Sequence, residues 1–341
     1  MNIWRLHSKP SMHSEYDIAK EMIDNNFAGL GWSMMDDRIT ALLQKGVIDE
    51  SKAEKMRNKR QNIKSTEDYC NLYMDFYPED KTVNENVNRL QTWVNSGDLI
   101  WIRRNGVYWL GKVTDESRWT FNKEYIKKDL ANQISNIHWV KIGDEGNVPG
   151  KVASAFISTK AFQRIKHQGI ATLSMLLFNE KCKDESLKYS AQTIRDSIEK
   201  TDNGKQLFFN YISDFECEDI LCLWLQFEKG YMVIPSTSKK GTELYECVLI
   251  NKDGRRAYPQ VKNGKDTLYC DDYKELCKDN DVYLFTVNGN VIGNPIENIT
   301  VVDSEEIYNF ARENRVLMSE AVNLWLDYID LFHIAYHLRK K

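Results

Sequence analysis

The sequence predicts an α+β, or α/β, protein of two domains, on three observations. Tryptophan is unevenly spread: seven of the nine (Trp4, Trp32, Trp93, Trp101, Trp109, Trp119 and Trp139) precede residue 140, so the two ends have differently built cores. Residues 99–142 alternate apolar and polar positions around turn residues, the pattern of hairpins and short strands. Beyond residue 204 helical and strand periodicities interleave, as in a mixed sheet flanked by helices.

A chain of 341 residues is long enough for two cores. Hydrophobic residues at 42% and charged residues at 28%, with a mean hydropathy of −0.55, exclude collagen-like, low-complexity and disordered classes. No run approaches about 18 uncharged apolar residues, and Met1-Asn-Ile-Trp-Arg5 lacks the apolar core of a signal peptide. The expectation is therefore a cytoplasmic protein with no membrane contact. Cys70, Cys182, Cys217, Cys222, Cys247, Cys270 and Cys277 form no pair of CxxC clusters, so they read as reduced structural thiols rather than a zinc site. Residues 1–165 carry 24 Lys+Arg against 22 Asp+Glu and residues 166–341 carry 22 against 28. Neither half is uniformly basic, so nucleic acid would have to be met by local patches or a pocket.

Taken in order, Ile18, Met22 or Ile23, and Phe27 have helical spacing, and a second helical stretch runs from about 38 to 64. Its basic run (Lys52, Lys55, Arg57, Lys59, Arg60, Lys64) reads as a solvated helix face. Leu99–Ile102, the Asn105-Gly106 turn and Val107–Val113 predict a hairpin, and Ile137–Ile142 another strand. Strands are expected to dominate this first domain, residues 1–168. Residues 169–203 are expected to link the domains, beginning with a buried helix at 170–180. The second domain, 204–341, is expected to hold a helix at about 214–229, strands at 231–234, 244–250, 257–262, 282–285 and 291–293, and two amphipathic helices at about 303–316 and 318–338.

The residues that could carry chemistry lie in this second half. Glu218 sits in the predicted helix, followed by Gly230-Tyr-Met-Val233, then Tyr245-Glu246, then Gln260-Val-Lys262. Gln260 and Lys262 are two apart on one strand and so share a face, which Glu246 can approach from the paired strand. This ordered set resembles the Mrr-like branch of the PD-(D/E)xK nucleases over roughly residues 205–300. The resemblance implies that Glu246 and Gln260 bind Mg²⁺, that Lys262 is the catalytic lysine, and that Glu218 is the helix acid. Phosphodiester hydrolysis needs a hard cation to neutralise charge on the phosphoryl oxygens, and carboxylate and carbonyl oxygens supply it. Glu246 stands where the family usually has Asp.

In the first half, Gly97-Asp98-Leu-Ile-Trp101-Ile-Arg103 followed by Tyr108-Trp-Leu-Gly-Lys-Val113 is similar to the PUA/EVE group of small β-barrels found on restriction-type proteins. That resemblance implies an aromatic pocket for a flipped or single-stranded base. Trp32, Trp101 and Trp119 are then candidate walls, with Asp98 and Arg103 near the rim, although tryptophans of this kind also serve as core. The Gly29-Leu-Gly31-Trp32 turn is singled out because glycines let backbone approach a ligand. Of the histidines only His333 and His337 have i,i+4 spacing, and two ligands alone read as a structural pair.

Together these readings predict a modification-dependent, type IV-like restriction endonuclease that recognises an altered base in DNA and cuts with Mg²⁺. Duplex cutting implies a homodimer, for which Leu317, Ala321, Leu324, Trp325, Tyr328 and Leu331 could supply a seam or pack on their own domain. The alternative is a catalytically inactive nucleic-acid-binding or sensor protein in phage defence. RNA is a third possible target.

Overall fold

The computed structural model describes residues 1–8, 16–198, 204–237 and 244–339, with side chains as far as residue 333. Two compact units emerge: Met1–Val148, Val152–Lys166 and Ile170–Ser197 form the first, and Pro149–Lys151, His167–Gly169 and Ile198–Lys341 the second. Helix 170–181, expected to begin the linker, thus belongs to the first unit. His13 lies outside the described residues, as does the side chain of His337.

In chain order the first elements are β1 (Ile3–Leu6), α1 (Ile18–Asp24), β2 (Ala28–Leu30), α2 (Asp36–Gln44), α3 (Glu50–Gln61), α4 (Thr66–Phe76) and α5 (Glu85–Thr92). There follow β3 (Leu99–Arg104), β4 (Val107–Val113), β5 (Trp119–Phe121), β6 (Asn132–Ile134), β7 (Ile137–Gly143), α6 (Gly150–Ala155), β8 (Phe162–Ile165), α7 (Ile170–Lys181) and α8 (Ala191–Ser197). A five-stranded sheet has the order β7-β4-β3-β1-β8, and a three-stranded sheet has the order β2-β6-β5. Among the described residues neither closes, so the expected barrel is replaced by two open sheets. Helices are also more prominent than expected: α4 and α5 occupy a stretch in which the periodicity had predicted neither.

Local chemistry explains the β3–β4 hairpin. Asn105 and Gly106 have φ of 48° and 80°, the left-handed pair of a type I′ turn that matches strand twist. Its strands pair in register from Leu99↔Lys112 to Arg104↔Val107. One core packs on the five-stranded sheet around Trp4, Ile100, Val113 and Phe162, where the Trp4 and Phe162 rings stack at 4.8 Å. A second core gathers α2, α3 and α4 against β5 and β6 through Met34, Met56, Tyr69, Tyr73 and Phe121.

The second unit holds α9 (Gly204–Tyr211), α10 (Asp214–Lys229), β9 (Tyr231–Val233), β10 (Leu249–Asn251), β11 (Arg256–Lys262), β12 (Leu268–Tyr269), β13 (Asp281–Thr286), β14 (Val291–Ile292), β15 (Ile299–Val301), α11 (Ser304–Glu313) and α12 (Glu320–Arg339). Its main sheet has the order β15-β13-β11-β10-β9. β11, β13 and β15 run parallel, and β10 is antiparallel to both β9 and β11. This is the expected mixed sheet flanked by helices. α10 begins at a capping box between Ser213 and Glu216 and ends at Gly230 with φ 73°, a left-handed position that a residue without Cβ adopts at little cost. Its buried face, Cys217, Ile220, Leu221, Trp224 and Leu225, follows the helical period. Val322, Trp325, Leu326 and Ile329 of α12 are buried in their own unit, while Leu324 and Leu331 are exposed. Among the described residues no helix is long and apolar enough to cross a membrane.

Candidate functional site

β11 presents the centre of the second unit's site. Gln260 is buried and Lys262 half-buried on the same face, because alternate strand residues point to one side. The β10–β11 register pairs Leu249 with Ala257, and continuing it sets Glu246 opposite Gln260. The expected strand 244–250 is regular only from Leu249. Before that point the Glu246 N–H donates to the Pro259 carbonyl at 2.9 Å, but the Val261 N–H turns to the Glu246 carboxylate, at 3.3 Å from Oε1. The Gln260 side-chain amide donates to that same Oε1 at 2.5 Å.

Two consequences follow for the oxygens. With both hydrogen bonds on Oε1, the Glu246 Oε2 is left for another partner. The Gln260 Oε1 is buried and accepts no hydrogen bond, a state that costs about 1–3 kcal/mol unless something satisfies it. An orphaned amide oxygen beside a carboxylate is a donor set suited to a hard cation. Among the described residues no three His, Cys, Asp or Glu side chains cluster as a metal site, so a cation here would be held by Glu246 and Gln260, with water completing its shell.

Glu218 joins them from α10. Its carboxyl is pushed up to about 7, first by burial and then by the negative charges of Glu246, Asp214 and Asp219, with Lys262 pulling the other way. The Glu218 carboxyl thus lies within electrostatic reach of Glu246 and Lys262, and Glu246 is bonded to Gln260. Sequence reasoning missed Lys151, which lies beyond the predicted domain boundary. Its ammonium donates to the carbonyl of Asn263, next to Lys262; burial lowers its pKa, and Asp214 opposes that shift. Only the chain crossing back at Pro149–Lys151 puts it there, which no local pattern announces.

The first unit contains a cavity of about 850 Å³ lined by Trp32, Tyr77, Phe156, Asp37, Asp80 and Asp129, among others. Trp32 and Met34 have φ of 58° and 54°, left-handed values that cost a bulky residue about 1–2 kcal/mol each. Neighbours hold the segment there. The Asn132 amide donates to the Gly31 and Trp32 carbonyls at 2.7 and 3.1 Å, the Tyr69 hydroxyl to the Trp32 carbonyl at 2.9 Å, and the Ser33 N–H to Asp129 at 2.9 Å. The surrounding structure thus over-determines a backbone that these residues rarely adopt.

Of the five predicted base-binding residues only Trp32 lines this cavity. Trp101 is 0% exposed and donates to Ser174 at 3.2 Å, so it is core. Trp119 packs against both hydrophobic clusters, with its edge on Tyr69 at 5.9 Å. Asp98 is buried, accepting from the Asn2 N–H at 2.6 Å, the Trp4 indole at 2.9 Å and the Asn95 N–H at 3.2 Å; it anchors β1 rather than a rim. Arg103 lies over the Tyr108 ring at 5.3 Å, 3.7 Å from Glu145. The glycines of this turn have a second role. Gly29 and Gly31 line the cavity as well, and a Cβ on Gly31 would sit 2.7 Å from the Asp129 carboxylate and one on Gly29 2.9 Å from the Phe27 ring, so they also make room for neighbouring side chains. Within the basic run of α3, Arg60 is buried, bound to Asp36 at 3.0 Å and to the Met34 carbonyl.

No protein-family model, no curated protein and no solved structure matches the chain.

Proposed function

We propose that the protein is a modification-dependent endonuclease: the second unit hydrolyses DNA phosphodiester bonds with Mg²⁺, and the first holds an altered base in the Trp32 cavity. The observation that carries this reading is the unsatisfied Gln260 Oε1 beside the Glu246 carboxylate. A cation held by those two residues would polarise the phosphoryl oxygen and acidify a water. Lys262, two residues beyond Gln260 on the same face of β11, orients the attacking water and offsets negative charge at the phosphate. Glu218, with a carboxyl that titrates near neutrality, is suited to exchange a proton with water in the site. In the first unit Trp32 and Tyr77 offer stacking faces, while Asp37, Asp80 and Asp129 accept from amino groups on a base edge.

The resemblance to Mrr-like nucleases and PUA/EVE modules agrees with this division of labour. A homodimer of the whole chain would supply the two sites that duplex cutting needs. The test is incubation with Mg²⁺ and phage genomes bearing different base modifications. We expect cleavage of a subset of them, lost in Lys262→Ala with binding retained. Undiminished binding without cleavage of any DNA would leave a sensor, a reading favoured by the absence, among the described residues, of three His, Cys, Asp or Glu side chains placed to hold one metal ion. Preferential competition by RNA oligonucleotides would move the substrate to RNA.

A further inference from the structure

We propose that Cys222 and Cys247 are an oxidisable pair that closes into a disulfide beside the acidic site. The Sγ atoms lie 3.4 Å apart, so nothing stands between them, and a disulfide at about 2.05 Å is reached by a shift of little more than an ångström. Other thiols in the chain are engaged differently: those of Cys182 and Cys277 donate to backbone carbonyls, and that of Cys70 faces the Gln91 amide oxygen.

The two sulfurs come from different kinds of backbone. Cys222 projects from α10 one turn beyond Glu218. Cys247 follows Glu246 in the stretch that precedes regular β10, where side chains replace parts of the strand ladder: the Glu246 carboxylate receives the Val261 N–H, and the Thr237 hydroxyl receives the Val248 N–H at 2.9 Å. Cys247 itself lies outside regular strand, between the main-chain bonds from Glu246 N–H to the Pro259 carbonyl and from Ile234 N–H to the Val248 carbonyl. Access is built in as well. Cys222 forms part of the wall of a cavity of about 420 Å³ with Asp219, Gln226 and Leu317, whereas Cys247 is buried behind it.

The oxidant is a hydroperoxide entering that cavity. One sulfur of the pair attacks the terminal oxygen, the O–O bond breaks, and the thiol proton leaves with the departing oxygen as water (or alcohol), giving a sulfenic acid. The other sulfur then attacks it; the S–S bond forms, the S–O bond breaks, and the second thiol proton leaves in a second water. Two thiols lose two electrons to one peroxide, and a thiol reductant reverses the change. The bond ties the helix carrying Glu218 to the segment carrying Glu246. That this retunes Mg²⁺ binding rests on the function proposed above; the bond itself does not.

The full-length protein is treated with hydrogen peroxide, denatured in N-ethylmaleimide and peptide-mapped. We expect a Cys222–Cys247 cross-linked peptide, a mass lower by about 2 Da, and full reversal by dithiothreitol. Cys222→Ser and Cys247→Ser should each abolish the cross-link; should the buried Cys247→Ser variant fold poorly, Cys222→Ser at the cavity wall suffices. Alkylation of both cysteines after peroxide, or stable over-oxidation of Cys222 without a cross-link, would overturn the proposal. Calorimetry with Mg²⁺ alone should then show at least threefold weaker binding to the oxidised protein. Equal affinity in both states removes the coupling to the site, whereas absence of Mg²⁺ binding in both defeats the nuclease reading and leaves the cross-link result intact.

Discussion

Gln260 is the residue on which the two roles of the second unit separate. Its amide N–H₂ serves Glu246, while its oxygen has no hydrogen-bond partner among the described residues. Gln260→Met removes both, and because the lost hydrogen bond and the relieved orphan oxygen offset one another, unfolding in urea should change by less than about 1 kcal/mol. Mg²⁺ binding should nevertheless be lost; retained binding would exclude Gln260 as a ligand. Glu218 gives a pH signature. In the folded protein its carboxyl is pushed up to about 7, against 4.5 for an ordinary glutamate, so between those values the native state binds more protons than the unfolded one. The corresponding stability is fully present below 4.5 and is lost as pH rises through about 7, with a slope of at most about 1.4 kcal/mol per pH unit. Without Mg²⁺, Glu218→Gln should flatten that slope in denaturant titrations at pH 5 to 7; an unchanged slope would place the effect elsewhere. Both residues were legible in sequence through their order and spacing. The orphan oxygen was not, since it depends on how the segment before β10 departs from regular strand geometry.

Among the elements, α10 and the segment 29–34 position the two candidate sites. α10 starts on the Ser213 side chain, which accepts from the Glu216 N–H at 3.1 Å, and Ser213→Ala should cost about 1 kcal/mol, seen as a lower thermal midpoint. Segment 29–34 is held from outside itself. In Gly31→Ala the new methyl would press on the Asp129 carboxylate, costing about 1–3 kcal/mol and displacing Trp32; modified-base binding, followed by tryptophan fluorescence, should weaken. Normal binding would mean that Trp32 is not a wall of the reading pocket. Here the sequence pointed to the segment through its two glycines, which line the cavity; that they also make room for the Phe27 ring and the Asp129 carboxylate is not contained in the local pattern. Arg60 makes the same point: a residue in a charged run reads as solvated, yet tertiary packing draws it onto the Met34 carbonyl.

At the scale of the molecule, the second unit recruits two short pieces from upstream of helix 170–181. The Asn210 side-chain amide donates to the Gln168 carbonyl at 3.2 Å, and a Cβ on Gly150 would lie 1.9 Å from the Ile212 carbonyl oxygen. Gly150→Ala should therefore loosen the second unit, although the residue falls within the predicted first domain. Hydrogen exchange should show lost protection in α9 and α10 with the β3–β4 hairpin unchanged; the reverse pattern would refute the assignment. The domain boundary was read as a single break because composition changes once along the chain, whereas the spatial division crosses the chain repeatedly.

Local chemistry alone determined much of this protein: the Asn-Gly hairpin, the capped amphipathic α10, the β11 strand that sets Gln260 and Lys262 on one face, and the mixed sheet of the second half follow from turn preferences and side-chain periodicity acting over a few residues. Which tryptophan faces a cavity, which oxygen goes unsatisfied, which sulfurs touch and where Lys151 ends up were decided only by the tertiary structure. Those outcomes depend on partners distant in sequence, and a periodicity that separates inside from outside carries no information about which inside neighbour a residue will meet.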